Sequence, residues 1–193
     1  MTQLEIMGAN AKNASVFLRT AGSKKDDALL AIAKALREHS DEIIKANEID
    51  IENGKNAGLT ESLLDRLRLT PERINGMAEG VEQVAALADP IGNVLEGRTL
   101  KNGLNIEKVR VPMGVIGIIF EARPNVTSDA AALCLKAGSA VILRGGKEAI
   151  NSNLAVSEIM RNAVESVGFP KDCIALVKDT SRQSATELMQ LSD

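Results

Sequence analysis

The chain has 193 residues, 45% hydrophobic and 25% charged, with a formal net charge of −3, which is room for one domain, or one domain with an appendage, of ordinary globular composition. Aromatics make up 2%, with no Trp and no Tyr, so the core is built from Ala, Val, Ile, Leu and Met, and the stacking platforms of single-stranded nucleic-acid binders are missing. The negative balance offers no general attraction to a phosphate backbone, and Cys134, Cys173 and the single His39 are too few for a disulfide framework or an N/S metal cluster.

No basic start followed by an apolar run is visible at the N-terminus, and no stretch approaches a membrane span. The cytoplasm is the default location. Residues 4–21 place apolar side chains at spacings of three and four, one face of a helix. Ser23 reads as the N-cap of a second helix, with Asp26 at its third position. Ser40 reads as the cap of a third, carried by Ile43, Ile44, Asn47 and Ile51 and broken by "ENGKNAG". Thr60 opens a short piece, "ESLLDRL". Thr70 and Pro71 then form a cap and first helical residue for a helix running to about Ala88. "KKDD" and "EHSDE" read as solvated helix ends, and His39 as a residue suited to a helix C-terminus.

The pattern changes after residue 94. In "EGRTLKNGLNIEKVRVP", Asn102-Gly103 lies between partly alternating arms, which predicts a β-hairpin with a two-residue turn. "GVIGIIF" reads as a strand buried on both faces of a parallel sheet. A helix follows, with Thr127 or Ser128 as cap and Gly138 at its end. "SAVILR", "SNLAVSEIMRNAVESVGFP", "CIALVK" and "SRQSATELMQL" complete a βαβαβα succession. That order predicts a parallel sheet with helices on both sides. Three strands are few, so the expectation is that the sheet belongs to a longer protein.

In open α/β sheets, ligands sit beyond the carboxyl ends of the strands. "FEARPN" and "RGGK" fall at that edge, so the tips after residues 120 and 143 should lie side by side. Asn125 either caps the next helix or points an N–H at a developing oxyanion; pattern alone favours the cap. Gly145 and Gly146 let backbone approach a ligand, with Arg144 and Lys147 beside a helix N-terminus, which suits a phosphate. The competing reading is a plain strand-to-helix turn. Neither the G-x-G-x-x-G fingerprint nor a P-loop is present. Cys134, among apolar residues on a helix, and Cys173, opening a strand, read as packed thiols rather than nucleophiles.

The stretch "VPMGVIGIIFEARPNVTSDAAALCLKAGSAVILRGGKEAINSN", residues 111–153, closely resembles the gamma-glutamyl phosphate reductase (glutamate-5-semialdehyde dehydrogenase) family of the aldehyde dehydrogenase superfamily. "KANEIDIENGKNAGLTESLLDRLRLTPERI" is similar to that family's helical region and "DPIGNVLEGRTLKNGLNIEKVRVPMG" to its hairpin. The resemblance implies an aldehyde-dehydrogenase-like α/β fold in three parts: N-terminal helices over 1–94, a hairpin oligomerisation arm over 95–112, and a partial Rossmann-like sheet over 113–193. It implies NADPH-dependent reduction of L-glutamyl 5-phosphate in proline biosynthesis. Asn125 matches the family's oxyanion asparagine. Arg144 matches a lysine that contacts the adenosine ribose, in the run Arg144, Gly145, Gly146 and Lys147. Lys147 falls where NAD-preferring relatives carry a glutamate, which suits a 2′-phosphate. Arg123 is the candidate for an anionic group of the substrate.

The family's nucleophilic cysteine matches neither Cys134 nor Cys173, so the expectation is a segment inactive by itself, with no metal. Expected partners are the small-molecule substrate, further copies of the chain through the hairpin, and glutamate 5-kinase, with no nucleic acid and no membrane. The alternatives are a non-catalytic interaction module and an acyl-CoA-type reductase of the same superfamily.

Overall fold

A computed structural model describes residues 1–191. Five helices come first: α1 (Gln3–Leu18), α2 (Lys24–Glu38), α3 (Ser40–Asn56), α4 (Glu61–Leu67) and α5 (Pro71–Ala86). A hairpin of β1 (Val94–Thr99) and β2 (Asn105–Val109) follows. The remainder is β3 (Val115–Ile119), α6 (Asn125–Lys136), β4 (Ala140–Arg144), α7 (Ile150–Ser166), β5 (Ile174–Leu176) and α8 (Arg182–Gln190).

The sheet is parallel in the order β3-β4-β5, with Val115 opposite Ala140 and Val141 opposite Ile174. Helices α6 and α7 pack together on one face, and α1 and α8 lie on the other. Helices α2, α3 and α5 form a further layer over α6 and α7. One apolar core runs through these layers, from Leu18, Leu29, Ile32 and Leu36 to Leu135, Leu143, Met160 and Ile174. With no Trp or Tyr, close packing falls to aliphatic side chains and alanine, as at Ala28, Ala33, Ala131 and Ala132, all fully buried.

Several local expectations change. Ser23 holds the N-cap position of α2 but makes no side-chain capping bond, and the residue before α3 is His39, so Ser40 is inside the helix. α3 does end within "ENGKNAG", at Asn56, with Gly58 at φ 77° just past its C-cap, but Gly54 lies inside the helix. A Cβ on Gly54 would lie 2.9 Å from Leu59 Cδ1 and 3.1 Å from Leu64 Cδ2, so the glycine serves close packing inside the last turns. "KKDD" is only partly solvated: Lys24 and Asp27 are exposed, but Lys25 is 2% exposed. Its Nζ donates to Asp89 at 2.9 Å and to the Lys136 carbonyl at 3.1 Å. Lys136 Nζ in turn meets Asp26 at 2.6 Å and the Ala85 carbonyl at 2.7 Å. The two ammonium groups tie α2, α5 and α6 into one unit, satisfying charges that burial would otherwise penalise.

The hairpin turn has three residues, not two. Leu100 N donates to the Leu104 carbonyl at 2.8 Å and Gly103 N to the Leu100 carbonyl at 2.9 Å. Gly103 alone takes positive φ, at 88°, the pattern of a turn followed by a left-handed residue. Both strands are exposed throughout. β3 is not buried on both faces: Gly117 and Ile119 are exposed, because β3 is the edge and β4 the buried centre of the sheet. α6 begins at Asn125, ahead of the caps expected at Thr127 or Ser128. Thr127 and Ser128 are buried inside it.

Candidate active site

The carboxyl ends of β3 and β4 stand side by side. Phe120 N donates to the Arg144 carbonyl at 3.0 Å. A Cβ on Gly145 would sit 3.2 Å from Phe120 Cζ, and one on Gly146 would sit 3.5 Å from Glu121 Cα. The polar segment after β3 closes quickly. Arg123 N donates to the Glu121 carbonyl at 2.7 Å, and Val126 N to the Arg123 carbonyl at 3.1 Å.

Asn125 is the first residue of α6 and not its cap. Its Nδ2 donates to Asp129 Oδ2, one turn on, at 3.0 Å. Partial burial raises the Asp129 carboxyl above its ordinary value, and the Asn125 bond offsets part of that. Arg123 and Asn125 open onto a cleft of about 420 Å³, walled on its other side by Arg66, Arg68, Arg73 and Met77. Four arginines therefore meet in one concavity of a net-negative chain. Arg73 is committed to structure: it donates to the carbonyls of Asp65 and of Arg68, the latter at 2.8 Å, and to Asp65 Oδ1 at 2.9 Å. It thereby satisfies carbonyls left open at the end of α4. From the interior, Asn47 holds the same corner, donating to the Leu67 carbonyl and accepting from Leu69 N, both at 2.8 Å.

Arg66, Arg68, Arg73 and Asp129 were not singled out by sequence reasoning. Asn125 and Asp129 stand four apart on one helix, a spacing that brings side chains together. The arginines carry no local signal, because the fold brings residues 66–73 to residues 123–129.

At the tip of β4, Gly145 and Gly146 are buried, and Gly145 is required by packing. A Cβ there would lie 2.1 Å from Asn153 Nδ2, while Asn153 Oδ1 accepts from the Thr127 hydroxyl at 3.0 Å. The donors at the start of α7 are taken as well. Asp50, 1% exposed on α3, accepts from Ser152 N at 2.7 Å, Ser152 Oγ at 2.6 Å and Asn151 Nδ2 at 2.7 Å. This helix N-terminus already holds a carboxylate from within, so an anion near residues 144–147 cannot use those donors. Arg144 Nη2 donates to the carbonyls of Thr180 and Ser181 at 2.6 and 2.9 Å, bracing the turn before α8. Lys147 is exposed, and among the described residues its ammonium has no ion-pair partner.

Cys134 and Cys173 are buried free thiols. Burial pushes Cys134 up to about 11 and Cys173 up to about 12. Both are neutral near pH 7 and unsuited to nucleophilic attack. No cluster of three metal-binding side chains occurs among the described residues, and no helix there is long and apolar enough to cross a membrane.

Comparison with known proteins bears on the chain's fold and family. The chain is 53% identical over 194 aligned residues to the gamma-glutamyl phosphate reductase of Clostridium beijerinckii, covering 100% of this chain and 47% of that protein. The crystal structure of gamma-glutamyl phosphate reductase from Thermotoga maritima superposes with a TM-score of 0.96 at 39% identity, over 98% of this chain and 46% of that one. The Saccharomyces cerevisiae protein of the same name gives 0.88 at 34% identity, over 94% and 47%. The chain thus spans about half the length of the curated relatives it matches. A model of the aldehyde dehydrogenase family matches residues 2–193, and with the parallel sheet, its flanking helices and the antiparallel hairpin in place, the chain belongs to that family.

Proposed function

We propose that this chain supplies the oxyanion and nucleotide-binding parts of an NADPH-dependent reductase that converts L-glutamyl 5-phosphate to L-glutamate 5-semialdehyde and phosphate, in proline biosynthesis. The observation that carries the reading is the 53% identity along the whole chain to a gamma-glutamyl phosphate reductase.

The arrangement suits acyl reduction. An asparagine amide has two N–H donors. Asn125 gives one to Asp129, which orients the group and leaves the second for an acyl oxygen as negative charge develops on it. Arg123, two residues away in the same cleft, offers a forked donor to an anionic group of the substrate. Lys147 at the tip of β4 fits the 2′-phosphate of NADPH as an exposed cation; Arg144 acts one step back, fixing the Thr180–Ser181 turn. NADPH, when bound, supplies the hydride. Because Cys134 and Cys173 hold their protons, the reading places the attacking thiolate outside these residues, and the chain by itself should not turn over.

The test is a titration with NADPH and NADH, followed by an assay of NADPH oxidation with glutamyl phosphate. Preferential NADPH binding without turnover is the expected result. Turnover by the chain alone would end the proposed division of labour. Absence of nucleotide affinity would favour a non-catalytic interaction module. That second reading rests on the hairpin, whose Leu95, Leu104, Ile106 and Val109 are exposed. In the leading reading the same surface joins copies of the chain, and Ile106→Lys should then shift sedimentation toward smaller species.

A further inference from the structure

Resting on the reductase reading, we infer that Arg66 and Arg68 are specificity-determining residues that bind the free α-carboxylate at the far end of the acyl substrate, leaving Arg123, beside Asn125, to face the phosphoryl end.

The charge balance of the cleft points there. It holds four guanidinium groups and two carboxylates, Asp65 and Asp129. Asp65 is matched by Arg73 at 2.9 Å, and Asp129 takes the Asn125 amide. Among the described residues, the side chains of Arg66, Arg68 and Arg123 have no hydrogen-bond or ion-pair partner. The Asn125 amide is neutral and leaves the charge of Asp129 in place, so the cleft keeps an excess of two positive charges, which a ligand with two anionic ends uses.

The walls assign the ends. The acyl carbon must lie at Asn125, so the phosphoryl group it carries lies on the Arg123 wall. The α-carboxylate stands at the other end of a five-carbon chain, toward the corner between α4 and α5. That corner is preorganised: Arg73 bonds the Arg68 carbonyl at 2.8 Å, and Asn47 brackets Arg68 through Leu67 and Leu69. These bonds satisfy backbone groups at the end of α4 and, in doing so, hold the backbone that carries Arg66 and Arg68 in a fixed place, as a recognition site needs.

The experiment follows the arginine Nε–H signals of this chain by NMR during titration with L-glutamate, with 4-aminobutyrate, which lacks the α-carboxylate, and with inorganic phosphate. The variants are R66Q/R68Q and R123Q, all at exposed positions, with melting curves confirming an unchanged fold. L-glutamate should bind more tightly than 4-aminobutyrate. R66Q/R68Q should weaken L-glutamate about tenfold and leave 4-aminobutyrate and phosphate unaltered, while R123Q should weaken phosphate. No detectable L-glutamate binding, equal binding of the two amino acids, or wild-type L-glutamate affinity in R66Q/R68Q would each overturn the inference. NADPH is titrated alongside. NADPH binding with arginine-independent L-glutamate binding defeats the inference alone. Arginine-dependent L-glutamate binding without NADPH affinity defeats the reductase reading and keeps the carboxylate site.

Discussion

Asn47 Nδ2 donates to the Ser152 hydroxyl at 3.0 Å, joining α3 to α7 across 105 positions of sequence. The same side chain holds Leu67 and Leu69, and Asp50, one turn further along α3, holds Ser152 and Asn151. One polar stripe of α3 therefore fixes both the arginine corner and the start of α7.

Removing that anchor should be costly. Asp50→Ala leaves the donors of Asn151 and Ser152 without their acceptor in a buried place. The expected loss is about 3 kcal/mol, read as a lower urea midpoint at unchanged slope. Asp50→Asn, which keeps one acceptor oxygen, should lose less. An unchanged midpoint in Asp50→Ala would refute this account of α7.

Gly145→Ala should destabilise through overpacking. The new methyl would meet Asn153 Nδ2 at 2.1 Å, and Asn153 is buried against α6. A loss of about 1–3 kcal/mol is expected, measurable by thermal melting. The same change at Gly92, where nothing lies within 4 Å of an added Cβ but φ is +82°, should cost less, through backbone strain alone.

The pairing of Asn125 with Asp129 has a titration signature. Burial raises the Asp129 carboxyl and the Asn125 amide lowers it. Asn125→Ala removes the lowering contribution, so the Asp129 titration followed by NMR should move to still higher pH. A shift to lower pH would show that the amide does not stabilise the charged carboxylate.

The cysteines set an alkaline limit. Each thiol titrates higher in the folded chain, about 11 for Cys134 and about 12 for Cys173, than its ordinary value of 9.0. The unfolded chain loses these protons first. Their contribution to stability is therefore complete below pH 9 and disappears as pH rises through 11 to 12. Cys134→Ala/Cys173→Ala should flatten that part of the stability profile, and at pH 7 neither thiol should react with a disulfide reagent until the chain unfolds.

Lys147→Glu tests cofactor choice. If Lys147 holds the proposed place, the change should weaken NADPH on the order of tenfold more than NADH, because repulsion of a 2′-phosphate would replace attraction. Equal losses in parallel titrations would remove Lys147 from that role.

Most of the element order was legible because apolar periodicity is a local property. The spacing of Leu29, Ile32, Ala33 and Leu36 reads as a helix face whatever it packs against. Misreadings came where distant partners decide. Lys25 looks solvated until Asp89 and Lys136 arrive from far along the chain. The run from Val115 to Ile119 looks doubly buried, but its place at the sheet edge exposes part of it. For the site, Arg123 and Asn125 were visible because they directly follow an apolar strand. Arg66 and Arg68 were not, because only the packing of α5 on α6 brings them into the same cleft.

The hairpin shares no face with the core: every residue of its two strands is open to solvent. Its side chains therefore contribute little to what keeps the remainder folded, and a two-stranded ribbon adds little stability unaided. The residues that set the hairpin's outer surface are thus not the residues that keep the body folded. Substitutions on the ribbon should therefore leave the melting temperature of the packed body almost unchanged.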